Sequence, residues 1–115
     1  MTGKKGFARI KRSIRHLRAI DESASLSMWL FFLEVAEAED HSPPGLRPSD
    51  MIEILGIATS GPRRLADLLG DGHGPGKKKG LGLIEEVAVD RRSHRFRLTA
   101  RGRDLVRELD RLAGR

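Results

Sequence analysis

Residues 71–82 (DGHGPGKKKGLG) form a glycine- and lysine-rich run that invites a phosphate-binding reading. A P-loop requires Gly, four residues, then Gly-Lys-Ser/Thr, so that backbone N–H groups cradle phosphates and a hydroxyl reaches Mg²⁺. Here Gly76-Lys77 has Asp71 where the first glycine belongs and Lys78 where the hydroxyl belongs. No G-x-G-x-x-G is present either. The run is therefore not read as a nucleotide cradle. Lys77, Lys78 and Lys79 suit phosphate contacts of a looser kind, or a solvated charge run, and both readings stay open. The histidines, His16, His41, His73 and His94, are not at metal-ligand spacing from one another, and there is no cysteine to support them. No Ser, His and Asp set suggests a nucleophile with its base. The expectation is a protein that is not an enzyme, with no catalytic residue, no metal and no cofactor.

Two other clusters point to nucleic acid. The stretch 59–70 (TSGPRRLADLLG) places Thr59, Ser60, Arg63 and Arg64 in and before the first turn of a helix. A helix fits the major groove, where arginine donates two hydrogen bonds to guanine and hydroxyls suit phosphates. The competing reading is an ordinary amphipathic helix with solvated arginines. The second cluster is Asp90, Arg91, Arg92, His94 and Arg95, at the end of a hairpin. Long arginines on a slender projection suit the narrow, electronegative minor groove. A charged turn would serve solubility equally well. Asp90 opposes nonspecific binding, and its presence is best explained if it orients a neighbouring arginine through a charge-assisted hydrogen bond.

Composition bounds the setting. The chain has 115 residues, a net charge of +6 and a pI near 10.5, with 38% hydrophobic residues. That length suits one domain. The charge favours a polyanion partner, nucleic acid or an anionic membrane surface. The longest apolar run, 26–36, is shorter than the ~20 residues a membrane span needs, and it contains Glu34. No secretory signal is legible, and the lack of cysteine fits the cytoplasm.

The elements that must position these clusters follow from periodicity and punctuation. Residues 4–20 carry Phe7, Ile10, Ile14 and Leu17 at spacings that form one helical stripe. Lys11, Arg12, Arg15 and Arg18 occupy the other faces. Ser25 or Ser27 caps a second helix running to Glu39, with Leu26, Leu30, Leu33 and Ala36 expected to face inward. This segment holds the single tryptophan and two of the four phenylalanines, and is expected to be the centre of the core. Pro43, Pro44 and Gly45 force a loop at 41–47. Pro48 opens a third helix that Gly56 ends. Ile57 is expected to pack inward, and Thr59 or Ser60 to cap a fourth helix that buries Leu65, Leu68 and Leu69. Residues 83–89 read as a strand. Phe96 and Leu98 alternate with Arg95, Arg97 and Thr99 as a second, half-buried strand. Thr99 caps a last helix with Leu105, Leu109 and Leu112 on one face. The expected class is mainly α with a small β-hairpin, in the order α-α-α-α-β-β-α: a winged helix-turn-helix.

One stretch carries a family resemblance. GLIEEVAVDRRSHRFRLTARGRDL resembles the wing and following helix of MarR-type regulators. Their pattern is Gly-Leu-Ile, a short strand, Asp-x-Arg, an apolar residue, then Leu-Thr-x-x-Gly. Gly82, Leu83, Ile84, Asp90, Arg92, Phe96, Leu98, Thr99 and Gly102 all match it. LGIATSGPRRLADLLG is similar to the family's turn and recognition helix, with Arg64 on its arginine. SMWLFFLEVAEAE is similar to the preceding helix, especially in small MarR-like proteins of phages and prophages. The resemblance spans roughly residues 25–110. Two departures stand out: Gly61-Pro62 replaces the family's usual small or β-branched residues, and the chain ends soon after the last helix.

The resemblance implies a winged helix, duplex DNA as partner and a homodimer. Many members release DNA on binding a small effector, but no pocket for one is legible in this sequence. The expected division is a basic N-terminal dimerisation helix at 1–24, a DNA-binding winged helix at 25–100 and a C-terminal dimerisation helix at 101–115. The stripe of Phe7, Ile10, Ile14 and Leu17, with Leu105, Leu109 and Leu112, is expected to pair two copies across a two-fold axis, because an apolar stripe outside the winged-helix core calls for a partner; the alternative is that the two stripes pack together within one chain. The expected function is a sequence-specific, cytoplasmic double-stranded DNA-binding transcriptional regulator, a repressor. The alternative is a nonspecific nucleic-acid-binding or protein-docking winged-helix module in phage replication or assembly.

Overall fold

Ser25 starts the helix that carries the core. Its side chain accepts a hydrogen bond from the Met28 backbone N–H at 3.1 Å, satisfying a donor the first turn would otherwise leave open. The computed structural model describes residues 3–56, 61–70, 80–89 and 93–114, with the side chains of 3–5 and 61–63 outside that description. Within it, the helices are α1 (Gly3–Ile20), α2 (Leu26–Glu37), α3 (Pro48–Leu55), α4 (Gly61–Leu69) and α5 (Ala100–Leu112). A single 3-10 turn, Ala38–Asp40, follows α2. Strands β1 (Ile84–Ala88) and β2 (His94–Leu98) form an antiparallel hairpin between α4 and α5. The protein is thus mainly helical with a small hairpin, in the expected element order.

The inward face of α2 differs from the expected one. Met28, Trp29, Phe31, Phe32 and Val35 are buried, whereas Leu26, Leu30 and Leu33 are exposed. The helix is apolar nearly all round, so two stripes competed for the core. The aromatic stripe won because each buried aromatic removes more apolar surface from water than a leucine does. Phe31 meets Phe96 of β2 with ring centroids 5.3 Å apart, and Trp29 meets Phe32 edge-on at 6.2 Å. Ala36 packs against this core, as expected.

The other helices follow their local signals. Pro48 stands in the first turn of α3, and Gly56 closes it in the left-handed conformation at φ 63°. At its start, the Asp50 carboxylate accepts from the Arg47 backbone N–H at 3.2 Å and from the Arg47 guanidinium at 3.1 Å. On α4, Leu65 and Leu69 are buried and Leu68 packs against the core, while Arg64 is exposed. Ile57, Thr59 and Ser60 lie outside the described residues.

Thr99 joins the hairpin to α5. Its hydroxyl donates to the Gly82 carbonyl at 2.6 Å and accepts from the Gly102 N–H at 3.0 Å, so it caps α5 as expected and pins the hairpin entrance as well. The helix comes so close there that a Cβ on Gly102 would lie 2.0 Å from the Leu83 carbonyl oxygen. Only glycine permits that approach. Gly45 does the same on the other side, at φ 96°, where a Cβ would meet the Phe96 carbonyl oxygen at 2.6 Å. The neighbouring Leu46 exchanges two backbone hydrogen bonds with Phe96, at 3.1 and 2.7 Å.

The last stripe closes the chain's own core. Leu105 is 7% exposed, and Leu109 packs against the same cluster. These two leucines, expected to meet a second copy, are therefore largely used within the protomer. The physical reason is that α5 packs on α1, α2 and β2 of its own chain, where Leu17 of α1 joins the same cluster. Arg12 also donates to the Leu112 carbonyl at 3.3 Å. Of the α1 stripe, Leu17 packs inward, but Phe7, Ile10 and Ile14 are each more than half exposed.

Candidate nucleic-acid interface

The fourth helix and the hairpin are joined at their junction by successive backbone hydrogen bonds. Leu81 N–H donates to the Leu68 carbonyl at 3.0 Å, Gly82 to Gly70 at 2.8 Å and Leu83 to Leu69 at 2.7 Å. Lys77, Lys78 and Lys79 lie outside the described residues.

Burial along the hairpin fades from root to tip. Ile84 and Leu98, paired at the root, are 2% and 3% exposed. Ala88 and His94, paired near the tip, are both exposed, and Val89 is as well. The hairpin therefore projects beyond the core. Its end is narrowed by a bond from the Val89 N–H to the Ser93 carbonyl at 2.8 Å. Asp90, Arg91 and Arg92 lie between those residues and outside the described ones.

The described basic groups of the hairpin divide by role. His94 is exposed, with its Nδ1 3.8 Å from a Glu86 carboxylate oxygen across the strands. Arg95 is half-buried, and its guanidinium donates to the Gly45 carbonyl at 3.0 Å. One of its donors is thus committed to bracing the 41–47 loop. Arg97 donates twice to Glu39, at 3.2 and 3.3 Å. Arg103 of α5 approaches the same carboxylate at 3.5 Å, and the Leu98 backbone N–H donates to it at 3.4 Å. Glu39, with 15% of its side chain exposed, is a hub that ties the end of α2 to β2 and α5. Its one negative charge offsets part of the positive charge of the two arginines at the root.

This hub escaped the sequence reading. Glu39 and Arg97 are 58 residues apart, and neither stands in a periodic pattern with the other. The one available signal was Arg97 itself, a cation in a strand whose alternate positions are buried.

On α4, Arg64 is exposed at the first turn, where a groove-entering helix needs it. Arg63 belongs to the same turn, with its side chain outside the description. Thr59 and Ser60 precede that turn and lie outside the described residues. Among the described residues, no group of His, Asp and Glu is placed to hold a metal ion, and no helix is long and apolar enough to cross a membrane.

No family model and no curated protein match the chain. Its fold is similar to that in the crystal structure of RV1404 from Mycobacterium tuberculosis, with a TM-score of 0.64. The two share 19% sequence identity over 97% of this chain and 68% of that one. At that identity the likeness is one of fold alone.

Proposed function

We propose that the chain is a sequence-specific double-stranded DNA-binding transcriptional regulator of the MarR type, a dimeric repressor that occludes a promoter. In this reading α3 and α4 are the helix-turn-helix, and the β1–β2 hairpin is the wing. The N-terminal turn of α4, with Thr59, Ser60, Arg63 and Arg64, enters the major groove. The hairpin tip, with Asp90, Arg91, Arg92 and His94, enters the minor groove, and Lys77, Lys78 and Lys79 contact phosphates. The assembly is a homodimer acting in the cytoplasm.

The observation that carries the reading is the clamp between α4 and the hairpin. It couples a helix bearing an exposed arginine to a projection whose core contacts end before its basic tip. A pair joined in this way is suited to reach two adjacent grooves with little reordering of either element, which would lower the entropic cost of binding. Glu39 holds Arg97 and Arg103 at the hairpin root, away from the tip arginines.

Binding to duplex DNA is expected to weaken steeply with salt, with a log–log slope near −0.9 per phosphate neutralised. Arg64→Ala and Arg92→Ala are each expected to weaken specific binding by about 1–3 kcal/mol. Asp90→Ala is expected to weaken it too, although it removes a negative charge. Fluorescence anisotropy across a salt series, with circular dichroism as the folding control, measures all four. A flat salt response rules out groove binding, and tighter binding by Asp90→Ala rules out the orienting role.

A further inference from the structure

The apolar surface left on α1 has a counterpart on α2. Phe7, Ile10 and Ile14 are exposed on α1, and Leu26, Leu30 and Leu33 are exposed on α2, with Leu26 at 82%. Ile14 and Leu26, one from each stripe, line the same groove of about 190 Å³, together with Leu17, Trp29 and the charged Arg18, Asp21 and Glu22. Six large apolar side chains exposed on two helices that share a groove are more than scattered single exposures explain.

Charge on the two helices is segregated. Every Asp, Glu, Lys or Arg before position 21 is basic, and every one from 21 to 46 is acidic. With about 3.6 residues per turn, Lys11, Arg15 and Arg18 run along one edge of the α1 stripe. Glu34 and Glu37 stand one turn beyond Leu30 and Leu33 on the outer face of α2. Among the described residues, no ion pair within the chain engages these three cations or these two carboxylates. A surface with an apolar centre, a basic edge on one helix and an acidic edge on the other is complementary to itself.

We infer that a second copy of this chain covers this surface, with α1 of each protomer lying on the outer face of α2 of the other. Phe7, Ile10 and Ile14 then pack on Leu26, Leu30 and Leu33 of the second copy. Lys11, Arg15 and Arg18 meet Glu34 and Glu37. A two-fold axis makes each contact twice, because the same patch faces itself. The inference rests on the dimeric reading above and moves the partner surface from α5, whose Leu105 and Leu109 serve the protomer's core, to α2. Complementary charge also fixes register and disfavours unrelated partners.

Sedimentation equilibrium on the full chain tests it. The wild type is expected to dimerise at micromolar concentration. Leu30→Asp with Leu33→Asp is expected to weaken dimerisation by about 100-fold or more, with an unchanged circular dichroism spectrum because both side chains are exposed. Arg15→Glu with Arg18→Glu, and Glu34→Lys with Glu37→Lys, are each expected to weaken it about tenfold. Combining all four charge reversals is expected to bring the affinity back to within about threefold of wild type, since the pairs are restored with opposite sign. A monomeric wild type, an intact dimer in the double leucine variant, or a quadruple variant no tighter than the doubles overturns the inference. DNA binding separates the two levels. Specific binding with an intact dimer in the leucine variant fails the interface alone, and a disrupted dimer without any specific DNA binding by wild type fails the function alone.

Discussion

The two ends of the molecule are built on opposite plans. At the hairpin end, almost every polar group near the root has a partner: Thr99 bridges Gly82 and Gly102, Glu39 gathers Arg97, Arg103 and the Leu98 N–H, and Leu46 pairs with Phe96. At the α1 end, three large apolar side chains of α1 and three leucines of α2 face outward. The first region is complete within one chain. The second leaves its apolar side chains open to solvent within one chain. In the proposed reading this division suits a DNA reader, because the helix and hairpin would hold their spacing while the open face would set the distance between two readers.

The comparison can be broken most directly at Gly102. Replacing it with valine puts side-chain atoms where a Cβ already comes within 2.0 Å of the Leu83 carbonyl oxygen. The expected cost is about 3 kcal/mol or more, read by urea unfolding. A small loss would mean that α5 is free to shift and that the hairpin end is looser than described.

A smaller effect is expected at Glu39. Glu39→Ala leaves two arginines and the Leu98 N–H without their shared acceptor. The expected loss is about 1–3 kcal/mol, the cost of a partly buried charged hydrogen-bond network losing its centre. Double-mutant cycles with Arg97→Ala should show coupling, and additivity there would argue against a hub.

At the open end, Phe7→Ser sharpens the contrast. Phe7 is 67% exposed, so monomer stability at low protein concentration is expected to change by no more than about 0.5 kcal/mol. Unfolding curves at rising protein concentration should separate the variant from wild type. A large loss at every concentration would show that Phe7 is packed within the chain.

The smallest expected effect is the pH dependence at the start of α3. Hydrogen bonding to Arg47 holds the Asp50 carboxyl below the usual carboxylate range. A depressed pKa adds stability that is present above the unfolded-state value, about 3.9, and is lost as pH falls through the folded value. The stability difference between wild type and Asp50→Ala is therefore expected to be constant near neutrality and to shrink below about pH 4. A difference that grows on acidification would contradict the pairing. Both side chains are partly solvated, so the effect is small.

Legibility in the sequence followed the range of the interactions. Thr99, Gly56 and Pro48 were readable because caps and helix stops are decided within a few residues. The alternation of Phe96 and Leu98 was readable because a strand with one buried face imposes it. The inward face of α2 was not, because Leu26, Leu30 and Leu33 and the aromatic stripe have the same period, and packing against Phe96 settles which is buried. Glu39 was silent for the same reason: its partners lie far along the chain. In the candidate interface, Arg64 was placed by helix pattern and found exposed. Arg95 was grouped with the tip because adjacency in sequence hides the loop carbonyl it braces.

In the proposed reading, the clamped α4–hairpin pair reads sequence in duplex DNA. The most direct test selects bound duplexes from a random pool with the full chain, then compares the affinity of the best site with that of scrambled DNA at physiological salt. The account predicts a preference of about 10³-fold or more, with a two-fold symmetric site whose halves lie about one helical turn apart. Equal affinity for selected and scrambled duplexes would contradict it.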